Sequence, residues 1–373
     1  MISLYPLFEL AIPNPLFKSC DAVVFSKTRD HKFIFLKENK PKNITPDKLR
    51  MKGKPYIKGR VKIYDVVVDM YEHNHIKSGD GDLFIASGVE NMTRGPLVIS
   101  KASKAFGRDS KMYDSSFGWR FVNPKMEELY GTEGMGETAE NLAQKYNISR
   151  EDQDLFAYNS HMKAKRATEN GRLAKEIIPL EIPQRKADPI VFEKDEFIKP
   201  KTSIEILTKL RAAFRKGGSV TAGNSSGLND GAAAVLVASE KAVKEHNLKP
   251  LARIVSSAVV GVEPSIMGIG PVGATKKALK KAGLTLDDID VIELNEAFAS
   301  QSLAVIRELG LKDDDIRINP NGGAIALGHP LGMSGTRITY SAALELKLQN
   351  KRYALATMCI GVGQGYAVIL ERV

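Results

Sequence analysis

Residues 253–310 run RIVSSAVVGVEPSIMGIGPVGATKKALKKAGLTLDDIDVIELNEAFASQSLAVIRELG. Arg253–Val262 reads as a strand, and Val272–Ala282 as an Ala/Lys helix stopped by Gly283. Asp290–Leu294 reads as a second strand, and Glu296–Leu309 as a helix stopped by Gly310. Strand, helix, strand, helix in that order predicts an α/β architecture with a largely parallel sheet. Working outward, Gly335–Leu348 is a further helix, and Tyr353–Met358 and Tyr366–Arg372 are strands joined by a Gly-rich turn. Upstream, Asp82–Gly88 and Ala232–Ser239 are short apolar runs expected to be buried strands. Ser149, followed by Asp152, opens a helix running to Asn170-Gly171, with Leu155, Tyr158 and Met162 as its apolar positions. Residues 181–218, rich in Pro, Lys and Asp, predict a long excursion over the surface.

The whole chain has 373 residues, 43% hydrophobic and 26% charged, which suits folded domains and argues against disorder. No apolar run reaches the roughly 20 residues needed to span a bilayer. The N-terminus lacks a basic n-region and a small-residue cleavage site, so no signal peptide is read. Two cysteines, Cys20 and Cys359, make no disulfide framework, and a cytoplasmic location is expected. The net charge is +10, and its distribution is uneven. Residues 1–75 carry 14 Lys+Arg against 8 Asp+Glu, with 2 of the 31 glycines. Beyond about Ile76 the chain is Gly- and Ala-rich with evenly mixed charge. A basic tract with aromatics invites a nucleic-acid reading, but residues 1–75 contain no recognisable binding module. No nucleic-acid partner and no membrane partner is therefore expected.

Four features carry chemistry. Cys359 begins CIGVGQG, where a strand rather than a helix follows the glycines, so a dinucleotide fingerprint fails. What remains is a thiol at a tight turn whose glycine amides can approach a ligand closely; buried filler is the bland alternative. His329 lies in NPNGGAIALGHPLG, a glycine-crowded loop before a helix, where an imidazole can take a proton near neutral pH. Asn295 stands at a strand end, placed to orient a water or donate to an oxyanion, or equally to cap the helix after it. Residues 221–234, TAGNSSGLNDGAAA, form a Gly/Asn/Ser loop able to lie against a phosphate-bearing ligand, without the Lys-Ser/Thr of a Walker motif.

Together, GVENMTRGP, MGETAENLA, VTAGNSSGLNDGAA, MGIGP, NEAFA, NPNGGAIALGHPLGMSG and CIGVGQG resemble the thiolases, acyltransferases that cleave or form 3-oxoacyl-CoA. The resemblance covers about residues 76–373, and SSFGWRFVNPKMEELYG resembles the 3-oxoadipyl-CoA branch, which suggests a dicarboxylic acyl chain. The family fold is two similar halves packed as five αβαβα layers. That implies an N-terminal half at 1–91 and 229–249 (with 1–75 atypical), a loop domain at 92–228 covering CoA, and a C-terminal half at 250–373. The resemblance further implies that His329 activates a nucleophilic Cys, and that Cys359 moves the proton at the acetyl-CoA carbon. His329 and a water on Asn295 would form one oxyanion hole, and the amide of Gly361 part of the other. Ala222, Ser226, Met135, Met267, Ala297 and Phe298 would line the pantetheine channel. Coenzyme A enters as substrate, no resident cofactor or metal is expected, and family members are homodimers or homotetramers.

One departure cuts across this. The family sets its nucleophilic Cys roughly 28 residues before the Glu of the GVENM block. Counting back from Glu90 lands on Lys62, in GRVKIYDVV, and Cys20 in FKSCDAVV does not match. The expected function is thus a thiolase-type acyltransferase impaired at its nucleophile. The alternative is a non-catalytic homologue that binds acyl-CoA. Residues 1–75 would be either a foreign or out-of-frame segment joined near Ile76, or genuine divergence.

Overall fold

The computed structural model describes residues 67–116 and 118–373, with short backbone stretches at 2–6, 22–24, 33–37, 40–44, 50–51 and 54–55; side chains are described at 73–116 and 118–373. Lys62 and Cys20 lie outside the described residues. Six strands of one sheet position the site: β1 (Leu83–Asn91), β2 (Asp230–Ser239), β3 (Ala252–Gly261), β4 (Val291–Leu294), β5 (Tyr353–Ile360) and β6 (Gln364–Arg372). They lie in the order β4-β5-β6-β3, then the backbone of Ile2–Pro6, then β2-β1.

The sheet is mixed, and this corrects the expectation of a largely parallel one. Only the β4·β5 ladder is parallel; β5·β6, β3·β6 and β1·β2 are antiparallel. Residues 361–363 explain the difference. Gly361-Val362-Gly363 turns β5 straight back into β6, with Val362 at φ 66° and Gly363 at φ 88°. A side chain at Gly363 would overlap the Val262 carbonyl oxygen. Because β6 returns between β5 and β3, it separates strands that point the same way.

Alternation along the central strands divides the core between two faces. Ala354, Ala356 and Met358 of β5 and Tyr366, Val368 and Leu370 of β6 are buried on one face, under Ile338, Ala342 and Leu346 of helix Leu331–Gln349. Leu355, Ala367 and Ile369 point the other way, against Val272, Ala278 and Leu279 of helix Gly270–Ala282 and Val305 and Ile306 of helix Ala299–Glu308. In chain order the longer helices are α1 (Val67–Ser78), α2 (Met135–Lys145), α3 (Arg150–Glu169), α4 (Gly270–Ala282), α5 (Ala299–Glu308) and α6 (Leu331–Gln349). Each fully buried Leu or Ile here contributes about 1.5–3 kcal/mol. Helix α6 also reaches Ala86 of β1 and Val235 and Val237 of β2, so one helix binds both parts of the sheet.

Helix ends follow their local chemistry. Gly283 ends α4 in a left-handed conformation, its amide donating to the carbonyls of Leu279 and Lys280. Ser149 caps α3 by accepting from the Asp152 amide. The buried face of α3 differs from the expectation, however: Leu155 is exposed, and Ala157, His161, Ala164 and Ala167 face inward with Gln153 and Asp154. Small residues let α3 lie close to its neighbours, which the larger apolar ones would prevent. Residues 180–192 carry a short exposed hairpin, Leu180–Ile182 with Ile190–Phe192, consistent with an excursion over the surface. No helix among the described residues is long and apolar enough to cross a membrane.

Candidate functional site

Strand β4 ends at Leu294, and helix α5 begins only at Ala299, not at Glu296 as the helical spacing suggested. Residues 295–298 are held out of the helix by partners on both sides. The Asn295 amide donates to the Thr357 carbonyl (3.0 Å), the Ser226 amide to Ala297 (3.0 Å), and the Ala299 amide to Asn224 (2.9 Å). Phe298, not Asn295, is the residue before the helix, so the capping reading of Asn295 is overturned. Its side chain is thereby free for other work.

That work is done against His329. Asn295 Nδ2 lies 3.2 Å from His329 Nε2, and His329 Nδ1 lies 2.7 Å from Ser334 Oγ. Ser334 donates its own hydrogen to the Pro330 carbonyl (3.0 Å), so its oxygen accepts from His329 Nδ1–H. This fixes the tautomer: Nε2 keeps a lone pair and accepts from Asn295. Burial, helped by the Arg337 guanidinium, pulls the imidazole down to about 4, so it is neutral at physiological pH. Asn295 Oδ1 is buried with no hydrogen-bond partner in the protein.

Cys359 is the last residue but one of β5, opposite Gly365 of β6. It is 7% exposed and packs with Met267 and Ala297, with Phe298 against them. Burial pushes its thiol up to about 12. The neighbouring Gly361 has open space where a side chain would stand. Met267, Ala297 and Phe298 are thus brought to Cys359, and Phe298 meets Phe214 edge-on at 5.9 Å. Ser226 is half-buried and joined to Ala297 through its backbone, whereas Ala222 and Met135 are exposed. The loop 221–226 is pinned by Asn224, whose Nδ2 donates to Asp154 Oδ1 (2.9 Å) and whose Oδ1 accepts from the Thr221 amide (2.8 Å).

Several contributors escaped the reading of the sequence. Glu296 is buried and accepts from Ser160 Oγ (2.6 Å), Asn319 Nδ2 (2.7 Å) and the Ile325 amide (3.2 Å). Burial raises its carboxyl above the usual range, while these three donors oppose the shift. A side chain at Gly323 would collide with this carboxylate, so that glycine of the pair before His329 is a steric requirement of Glu296. Ser334, five residues beyond His329, lies in the GHPLGMSG block one residue ahead of the helix expected at Gly335–Leu348, and no signal in the sequence assigns it a role. Glu90 reaches the His329 loop from β1, its Oε2 accepting from the Gly332 amide at 3.1 Å.

Comparison with known proteins shows the family. The thiolase N-terminal domain family matches residues 70–241, and the thiolase C-terminal domain family residues 248–372. A 3-oxoadipyl-CoA/3-oxo-5,6-dehydrosuberyl-CoA thiolase of Escherichia coli K12 is 56% identical over 298 residues, covering 80% of this chain and 74% of the relative. A beta-ketoadipyl-CoA thiolase of Pseudomonas putida is 53% identical over the same shares. Human mitochondrial 3-ketoacyl-CoA thiolase in complex with CoA superimposes with a TM-score of 0.75 at 43% identity, over 82% of this chain and 75% of that one. Bacillus anthracis acetyl-CoA acetyltransferase does so with a TM-score of 0.74 at 41% identity, over 82% and 76%.

Proposed function

The chain belongs to the thiolase family, and we propose that it binds 3-oxoacyl-CoA thioesters with a dicarboxylic acyl chain, its turnover impaired for want of a nucleophilic thiol. Acyltransfer between CoA thioesters is the chemistry of that family. The observation that carries the reading is the Asn295–His329 hydrogen bond, with the imidazole neutral and its Nε2 lone pair turned to the amide. A base of this kind can accept the proton of an attacking thiol. In thiolysis a thiolate adds to the 3-oxo carbonyl, and the C2–C3 bond breaks. The electron pair of that bond leaves as the acetyl-CoA enolate, which takes a proton from Cys359. The acyl group then passes from the enzyme thiol to a second CoA, whose own proton restores the Cys359 thiol, while His329 returns its proton to the departing enzyme thiolate. Asn295 Oδ1 would hold the water that, with the imidazole, stabilises the enolate oxygen; the Gly361 amide would serve the thioester oxygen.

The first thiol is the missing part. Lys62 stands at the counted position, and an amine does not carry the thioester. The same site therefore supports a second reading, a protein that binds acyl-CoA without turnover. Calorimetry with CoA and chromatographic assay of 3-oxoadipyl-CoA thiolysis separate the outcomes. Micromolar binding is expected, with thiolysis at least about a thousandfold below a Cys-bearing relative. Residual turnover abolished by His329→Ala supports the impaired enzyme, and binding with none supports the second reading. Full activity would show that the nucleophile is not where the count puts it, and absence of binding would sink both. A homodimer or homotetramer is expected from the exposed Leu97, Ile99 and Met112 of the hairpin Leu97–Ile99 with Met112–Asp114, and sedimentation measures it.

A further inference from the structure

The loop carrying His329 is pressed onto the ends of β1 and β2 by contacts that leave no room for side chains. A Cβ at Gly88 would overlap the Gly332 carbonyl oxygen. One at Gly231, directly opposite Glu90 in the β1·β2 ladder, would meet Pro330 Cγ at 2.6 Å and Met333 Cε at 2.7 Å. One at Gly328, whose φ is +88°, would overlap the Asn229 side chain. Across this cradle runs a side-chain hydrogen bond, from the Gly332 amide to Glu90 Oε2, between residues 242 apart in sequence. Gly332 lies in the first turn of α6, where amides lack partners, and Pro330 at the cap offers no side-chain acceptor. Glu90 supplies one from a distant strand, and its charge suits a helix N-terminus. The same turn carries Ser334, whose oxygen accepts from His329 Nδ1–H.

We infer that Glu90 is a positioning residue for His329: by holding the Gly332 amide it places Ser334, and so keeps the Nε2 lone pair of the imidazole turned to Asn295. The inference rests on His329 as the base of the proposed reaction, but its test needs no turnover, so absent thiolysis would overturn that reading and leave this one standing.

The test is the imidazole spectrum of ¹⁵N-labelled full-length protein, with His329 assigned by its loss in His329→Gln. The unsubstituted protein is expected to show a protonated Nδ1 and an unprotonated Nε2. In Glu90→Ala the two nitrogens should shift towards values for mixed tautomers. Glu90→Gln keeps an acceptor oxygen and should restore most of the original pattern. Should Glu90→Ala not fold, Glu90→Met, close in size and without a strong acceptor, carries the same reading. A folded variant lacking the acceptor yet showing the unaltered His329 tautomer overturns the inference. A role limited to stability would lower the melting temperature and leave those signals in place.

Discussion

Cys359 and His329 are both neutral at physiological pH for the same reason, the loss of water around them. The thiol is pushed from an ordinary 9.0 to about 12. Iodoacetamide should therefore leave Cys359 unmodified at pH 8 in the folded protein and label it in urea; rapid labelling when folded would contradict the burial. The sign for stability follows. Between pH 9 and 12 the unfolded chain loses the thiol proton and the native one keeps it, so this group makes folding less favourable as pH rises through that window. For His329 the acidic limb of any residual activity should lie well below 6.5, near 4, and a pH–rate profile measures it. Cys359 and His329 were legible because glycines and a proline frame them in the sequence, and Asn295 because it stands at a strand end. Ser334 and Glu90 were not, since nothing local marks a serine in a helix turn or a glutamate ending a strand as partners of one imidazole. Glu296 was hidden more deeply: three donors converge on it from Ser160, Asn319 and Ile325, and only folding brings them together.

At the scale of elements, periodicity placed β3, α4, β4, β5 and β6 to within a few residues. It failed at 295–298, where a non-helical link is dictated by pairing with residues 224–226, a tertiary contact that overrides helical spacing. It failed also on sheet direction, because strand order cannot be read from strand sequence. The approach of α4 to β6 yields a prediction. Gly270 and Gly365 lie so close that a Cβ on Gly365 would overlap the Gly270 backbone. Gly365→Ala should cost at least about 2 kcal/mol in urea unfolding, since backbone on both sides has no way to yield. Gly283→Ala should instead be felt through its left-handed φ of 68°, costing about 1 kcal/mol with open space around it.

In the whole molecule, buried charge stitches the segment after α3 to α6. Arg172 Nε donates to Glu345 Oε2 (2.6 Å) and Nη1 to Glu176 Oε1 (2.5 Å), while Ser341 Oγ donates to Glu176 Oε2 (2.6 Å). Arg172 is 7% exposed, so Arg172→Ala would strand two carboxylates and should cost about 3–5 kcal/mol in a denaturation experiment. The Glu90–Gly332 bond has a consequence in time rather than in energy. Two segments separated by 242 residues must meet before the imidazole is set, and such distant closure comes late in folding. Helix content should return first on dilution from denaturant. The ability to bind CoA should lag behind it and appear only with the slowest phase, so ligand binding serves as a clock for completion of the fold.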